Sequence, residues 1–199
     1  DISYCEFQCD QGIIFSKYVD YKILNDKHIP AMSKKLKMKI NDSFGEVFAN
    51  VGMHANAEKT FCAGQIFEST KRLDFSIVDL GTTIYDNVTS YLEENTINSN
   101  CKHAIEWAVQ EGNSTKTTTG GFGLSVLSEF VALNSGKLHI VSANEYWELF
   151  DQKGQKKVRK KFFKKSFPGT IVNVEVNLDD NMYYQLKDED NDINESDIF

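Results

Sequence analysis

The chain has 199 residues with 41% hydrophobic and 12% aromatic content, enough to build one compact domain around a real core. Its 22 basic residues against 29 acidic ones leave a net charge of −7, which argues against a general nucleic-acid binder while leaving room for a local basic patch. No apolar run approaches the roughly 20 residues of a membrane span and no signal-peptide pattern opens the chain, so the expectation is a soluble, cytoplasmic protein with no membrane partner. The start on Asp1-Ile2-Ser3-Tyr4, without an initiator Met, suggests a piece of a longer protein or a trimmed chain. Cys5 and Cys9 are spaced CxxxC while Cys62 and Cys101 are isolated; with no second pair or nearby His, reduced structural thiols are favoured over a zinc site.

Residues 1–30 carry short alternating stretches, Tyr4-Cys5-Glu6-Phe7 and Gly12-Ile13-Ile14-Phe15, that fit an amino-terminal strand or an arm packing on a partner. Met32, Leu36 and Ile40 at i, i+4 and i+8 predict a short amphipathic helix over 31–40, and Asn41-Asp42-Ser43 offers caps for a second helix over 43–56. On that second helix, at about 100° per residue, Glu46, Asn50 and His54 fall on one narrow stripe beside the apolar stripe of Val47, Phe48, Val51 and Ala55. Such a rim has two readings. It is a solvated helix edge, or it serves a nucleoside triphosphate with magnesium. In the second case the Asn50 amide oxygen completes a hard-ion shell, the Glu46 carboxylate orients or deprotonates an attacking group, and His54 donates to a phosphate oxygen.

Two strands follow, near 60–67 and 73–80. The second alternates up to Asp79, with Gly81 two residues on. A carboxylate at a strand end accepts from an exocyclic amine and a glycine lets the backbone approach a flat base; the plainer reading is a strand-terminating turn. Residues 84–92 read as helix, 93–100 as loop and 101–111 as helix, with His103 structural or at the surface.

The stretch 113–124 is rich in hydroxyls and glycine and leads into an apolar-periodic helix over 124–133. Closely spaced glycines at a helix entry gather backbone N–H groups that receive phosphate oxygens, with Ser114, Lys116 and Thr119 closing over the anion as a mobile lid; the alternative is a linker. The loop lacks the Lys-Ser/Thr ending of a Walker A motif, which disfavours a P-loop NTPase. Strands are predicted near 137–142, 145–150 and 170–177, with a turn at 151–154. A basic run over 156–165 containing Phe162 and Phe163 fits a hairpin arm, either a solvated strand face or a docking surface for an acidic partner. The acidic, Asn-rich stretch 188–197 is expected to be disordered.

Four features in order, Glu46/Asn50/His54 on a helix, Asp79-Leu80-Gly81 after a strand, Gly120-Gly121-Phe122-Gly123-Leu124 into a helix, and Gly169-Thr170 before the last strand, resemble the ATP-binding domain of the GHKL superfamily, the Bergerat fold of histidine-kinase-like ATPases. The resemblance covers roughly residues 43–178. It implies an α/β (α+β) two-layer sandwich with a mixed sheet and helices on one face. It also implies ATP and Mg as cofactors, with Asn50 as magnesium ligand and Glu46 as the catalytic residue. Asp79 accepts from the adenine amine beside Gly81, and Gly120, Gly121, Phe122, Gly123 and Leu124 hold phosphates under the Ser/Thr lid. Thr170 binds near the adenine end.

Glu46 with a His eight residues on looks closest to the bacterial anti-sigma-factor serine kinases. Against the family pattern, Thr83 stands where a second glycine is common, and within the 199 residues no phospho-acceptor His helix is visible before residue 43 and no transducer-domain pattern after residue 178. The division expected is a 1–40 segment of unknown role, a 41–180 ATP-binding domain and a 181–199 acidic tail. The function expected is an ATP-dependent switch or protein kinase acting on a protein partner. The alternatives are an ATPase that cycles its lid and a non-catalytic interaction module using the arm at 156–165.

Overall fold

A computed structural model describes residues 2–97, 102–110, 113, 123–179 and 182–191. The class is the expected two-layer α/β sandwich: a five-stranded sheet in the order β1-β2-β3-β5-β4, with helices packed on one face. The strands are β1 (Ile2–Gln8), β2 (Lys59–Phe67), β3 (Arg72–Asp79), β4 (Lys137–Gln152) and β5 (Gln155–Asn177). Every ladder between them is antiparallel, whereas the resemblance implied a mixed sheet; the parallel pairing present is an isolated bridge from Met32 to Tyr184. Tight turns join β2 to β3 and β4 to β5, which makes those two pairs antiparallel, while β1–β2 and β3–β5 are antiparallel across long connections that contain helices.

The helices are α1 (Gly12–Val19), α2 (Lys34–Asn50), α3 (Ile84–Glu94), α4 (Ala104–Ala108) and α5 (Gly123–Leu133). Alternation in β3 puts Leu73, Phe75 and Ile77 on the covered face, where they meet Ile40, Phe44 and Phe48 of α2 and Leu127 and Val131 of α5 in one cluster. Aromatic packing fixes the helices. Phe15 of α1 stacks on Phe48 at 4.5 Å and Phe44 meets Phe75 edge-on at 5.6 Å. Each such ring, fully buried, contributes roughly 1.5–3 kcal/mol.

Three local expectations change. Residues 31–56 are not two helices split at 41–43. One helix starts after Ser33, whose side chain accepts from Leu36 N, and runs through Ser43, whose hydroxyl bonds the Lys39 carbonyl. The apolar stripe Leu36, Ile40, Phe44, Val47 and Val51 holds its 3.6-residue period across the polar triplet, and burial of that stripe outweighs a capping signal. Gly12-Ile13-Ile14-Phe15 is helical rather than extended, because Phe15, Val19 and Ile23 form a buried face at i, i+4 and i+8. The helix read over 101–111 is the five-residue α4.

The first strand is an edge strand, paired with β2 from Ile2 to Gln8. Near the other terminus, Lys187–Asn191 forms a 3-10 turn tied to the start of α2: Ser33 Oγ donates to Glu189 at 2.7 Å and Lys35 pairs with Asp188 at 2.8 Å. Among the described residues, no helix is long and apolar enough to cross a membrane.

Candidate functional site

On β3 the inward positions are Leu73, Phe75, Ile77 and then Asp79, a carboxylate 5% exposed where the pattern calls for an apolar side chain. Asp79 stands opposite Thr60 on β2 and opposite Thr170 on β5. Its Oδ1 accepts the Gly81 N–H at 3.1 Å, and a Thr170 N–H also favours the charged form. Burial wins over both, and the carboxyl is pushed up to about 6. A buried group so perturbed is a candidate for recognition rather than packing.

The turn after β3 is fastened to the end of α2. That helix passes at Asn50 into a π-helical turn, Val51–Ala55, closed by Asn56 in the left-handed region at φ 48°. The Ala55 carbonyl accepts the Thr82 N–H at 2.6 Å, and a Cβ at Gly81 would run into that same carbonyl, so only glycine fits. Gly169 is held in the same way. At φ 150° its backbone passes so close to the Asp79 carbonyl that a side chain there has no room. Thr83 then caps α3 in a reciprocal box with Asp86, which accounts for threonine at this position in place of a glycine.

Hydroxyls line the same end of the sheet. Ser142 Oγ donates to the Gly169 carbonyl at 2.9 Å and accepts the Ile84 N–H at 2.9 Å. With its one proton used, the 3.0 Å contact to Thr170 is a bond donated by Thr170, whose lone pairs stay available as acceptors. Thr60 is fully buried, and its Oγ1 has no hydrogen-bond partner among the described residues, at a cost of about 1–3 kcal/mol. Cys9, whose thiol donates to the Ala57 carbonyl at 2.8 Å, is held neutral by burial and by the nearby charges of Asp10 and Asp79.

Asp79, Gly81 and Thr170 are thus brought together at one end of the sheet, with Thr60 and Ser142 added by the register. Glu46 and Asn50 are both exposed on the last turns of α2, one helical turn apart. His54 lies within the π-turn, so the regular helical spacing of the stripe extends only as far as Asn50; its side chain is outside the described residues. Gly123 and Leu124 open α5. Ser114, Lys116, Thr119, Gly120, Gly121 and Phe122 lie outside the described residues. A surface crevice of about 470 Å³ at the opposite end of β3, lined by Lys27, His28, Ile66, Lys71 and Leu178, holds none of these residues.

No protein-family model matches the chain, and no curated protein matches its sequence. Among solved structures the chain is similar to the B-subunit of DNA gyrase from Myxococcus xanthus, at 10% identity and TM-score 0.36 over 81% of this chain and 42% of that one. It is also similar to the topoisomerase IV ATP-binding domain of Francisella tularensis in complex with a small-molecule inhibitor, at 15% identity and TM-score 0.37 over 94% and 46%. A third similarity, to the N-terminal domain of a DNA repair protein, has 19% identity and TM-score 0.24 over 51% and 26%. The chain spans less than half the length of each of these. The superpositions are loose, and the two-layer class rests on the strands and helices of this chain.

Proposed function

We propose that this chain is a Mg·ATP-binding domain of the GHKL type that works as an ATP-dependent switch or protein kinase. The observation that carries the reading is Asp79. It is a buried carboxylate at a strand end, flanked by Gly81 in the turn after β3 and Gly169 on β5, which leave no space for side chains, and by a Thr60 hydroxyl that has no partner among the described residues. This donor-acceptor set fits the edge of an aminopurine: the carboxylate accepts from the exocyclic amine, the Thr60 hydroxyl is left to donate to a ring nitrogen, and the Thr170 oxygen, its proton given to Ser142, is left to accept from the amine or from a bridging water.

The residues on α2 fit the metal. Magnesium takes hard oxygen donors and few protein ligands, so the exposed Asn50 amide would hold it, beside phosphate and water oxygens, as the one protein group required. Glu46, one turn earlier on the same helix, is the group assigned to accept a proton from a serine hydroxyl or from water. The glycines from Gly120 to Gly123, with Ser114, Lys116 and Thr119, are assigned to the phosphates and the lid.

Thermal unfolding of wild type and Asn50→Ala, each with and without Mg·ATP, tests the site. Ligand at about 100 times its dissociation constant stabilises the wild type by roughly 2.7 kcal/mol, and Asn50→Ala loses the magnesium-dependent part. No shift in wild type sinks the reading. Phosphate release measured in wild type and Glu46→Ala then separates hydrolysis from transfer: release lost in the variant defines an ATPase, and wild type without release defines a switch or kinase.

A further inference from the structure

We propose that the outer half of the β4–β5 hairpin is a docking edge for an acidic, extended protein segment, which adds to β5 as an extra strand. The inference is independent of the nucleotide reading. In the ladder, β3 covers β5 only between Thr170 and Asn177. Residues 155–162 pair regularly with β4 on one side, Gln155 to Gln152 through Phe162 to Glu145, and among the described residues no strand lies on their other side. The register shifts between Ser142 and Glu145, with Pro168 in the shifted segment, set this ribbon off from the rest of the sheet. Every residue from 155 to 166 is exposed, although their partners Glu145, Trp147 and Leu149 on β4 are buried. The outward N–H and C=O groups of alternate residues along this stretch therefore form an open template about 27 Å long, eight residues at 3.4 Å.

Charge decides what fits. Lys156, Lys157, Arg159, Lys160, Lys161, Lys164 and Lys165 crowd this segment in a chain whose net charge is −7. Arg159 and Lys160 are neutralised by Glu148 and Glu106, each at 2.7 Å. Among the described residues the other five lysines have no carboxylate within ion-pair distance. Lysines on an edge also guard against aggregation, but a guard edge does not carry Val158, Phe162 and Phe163 at 48%, 60% and 44% exposure. The same lysines that repel most strands admit one of opposite sign, and the exposed rings offer it an apolar anchor. A polyanion such as single-stranded nucleic acid matches the charge but not the template. Phosphates accept hydrogen bonds without donating any, so they leave the outward carbonyls of β5 unpaired. The mode is strand addition, with backbone bonds supplying affinity and alternate side chains supplying selectivity.

The test uses the full chain and a fluorescein-labelled ten-residue peptide, Glu and Asp throughout except for a central Phe-Val pair. A second peptide of the same sequence carries N-methyl groups on alternate backbone amides. Expected is saturable binding of the first peptide, slowed amide exchange over residues 155–162 in the complex, and at least tenfold weaker binding of the methylated peptide. The triple variant Lys156→Glu, Lys157→Glu, Lys161→Glu, checked for an unchanged melt, is also expected to bind at least tenfold more weakly. Absence of binding, equal binding of the methylated peptide, or displacement by a twelve-nucleotide oligo-dT at lower concentration than by unlabelled peptide overturns the proposal. The last outcome assigns the arm to nucleic acid instead.

Discussion

Asp79 makes a pH prediction of unusual sign for a carboxylate. In the unfolded chain its pKa lies near 3.9, and burial pushes it to about 6 in the fold. The folded state therefore binds the proton more tightly, and the stability this group contributes is present below about pH 4 and lost as pH rises to about 6. Asp79→Asn keeps an oxygen for the Gly81 N–H and removes the buried charge. The difference in unfolding free energy between variant and wild type is expected to grow from pH 4 to 6 and then level off, by up to about 3 kcal/mol in favour of the variant. Urea unfolding across pH 4–8 measures it. On the nucleotide reading, the same variant loses its ATP-dependent stabilisation while gaining intrinsic stability, a division that a merely structural carboxylate does not produce. Asp79 and Gly81 were legible in the sequence because a carboxylate broke an alternating strand just before a glycine. Thr60 and Ser142 were not. A threonine in a strand is ordinary, and its proximity to Asp79 exists only once the β2–β3 register pairs residues distant in the chain.

At the scale of elements, α4 depends on a side chain from the sheet. A five-residue helix is far below the length that stands alone in water. Glu145, buried on β4, accepts the Ala104 and Ile105 N–H groups at 3.0 Å each and lies 3.0 Å from His103 Nδ1, so it satisfies donors that every helix start leaves open. Glu145→Ala is expected to cost roughly 2–5 kcal/mol, and Glu145→Gln less, because one oxygen remains. Chemical denaturation gives the loss, and the near-ultraviolet signal of Trp107 in α4 reports whether the helix detaches. Here the sequence was misleading in a specific way: the apolar spacing of 101–111 predicts a longer helix, and the carboxylate that anchors it is some forty residues away. Helix α2 shows the converse. Its true length was written in the period of its apolar stripe, and the polar triplet at 41–43 interrupted the reading because Asn41 serves a tertiary bond to Ser16 rather than a cap.

For the whole molecule, the first elements belong to the same core as the rest. Phe7 of β1 and Phe15 of α1 sit edge-on at 5.5 Å, and Phe15 stacks on Phe48 of α2. Removing residues 1–24 takes away this cluster and bares the edge of β2, so the shortened chain is expected to lose its single cooperative melt and to associate. Calorimetry and sedimentation of the two forms check this. The alternating stretch 4–7 made the strand legible, but not its place in the sheet, since β1 pairs with a strand that begins some fifty residues later.

The π-turn at Val51–Ala55 has a mechanical consequence. A π-turn closes its hydrogen bonds over five residues where an α-turn needs four, so this segment stores one residue of slack at the end of an otherwise regular helix. Rewinding it as α-helix would pass that residue on to Asn56 and slide the Ala55 carbonyl along the axis by about 1.5 Å, one residue's rise. The carbonyl carries the Thr82 N–H with it, and Thr82 follows the turn that covers Asp79. The end of α2 and the loop beyond β3 are thus tied by one backbone bond, and a change in the winding of the π-turn would act on that bond first.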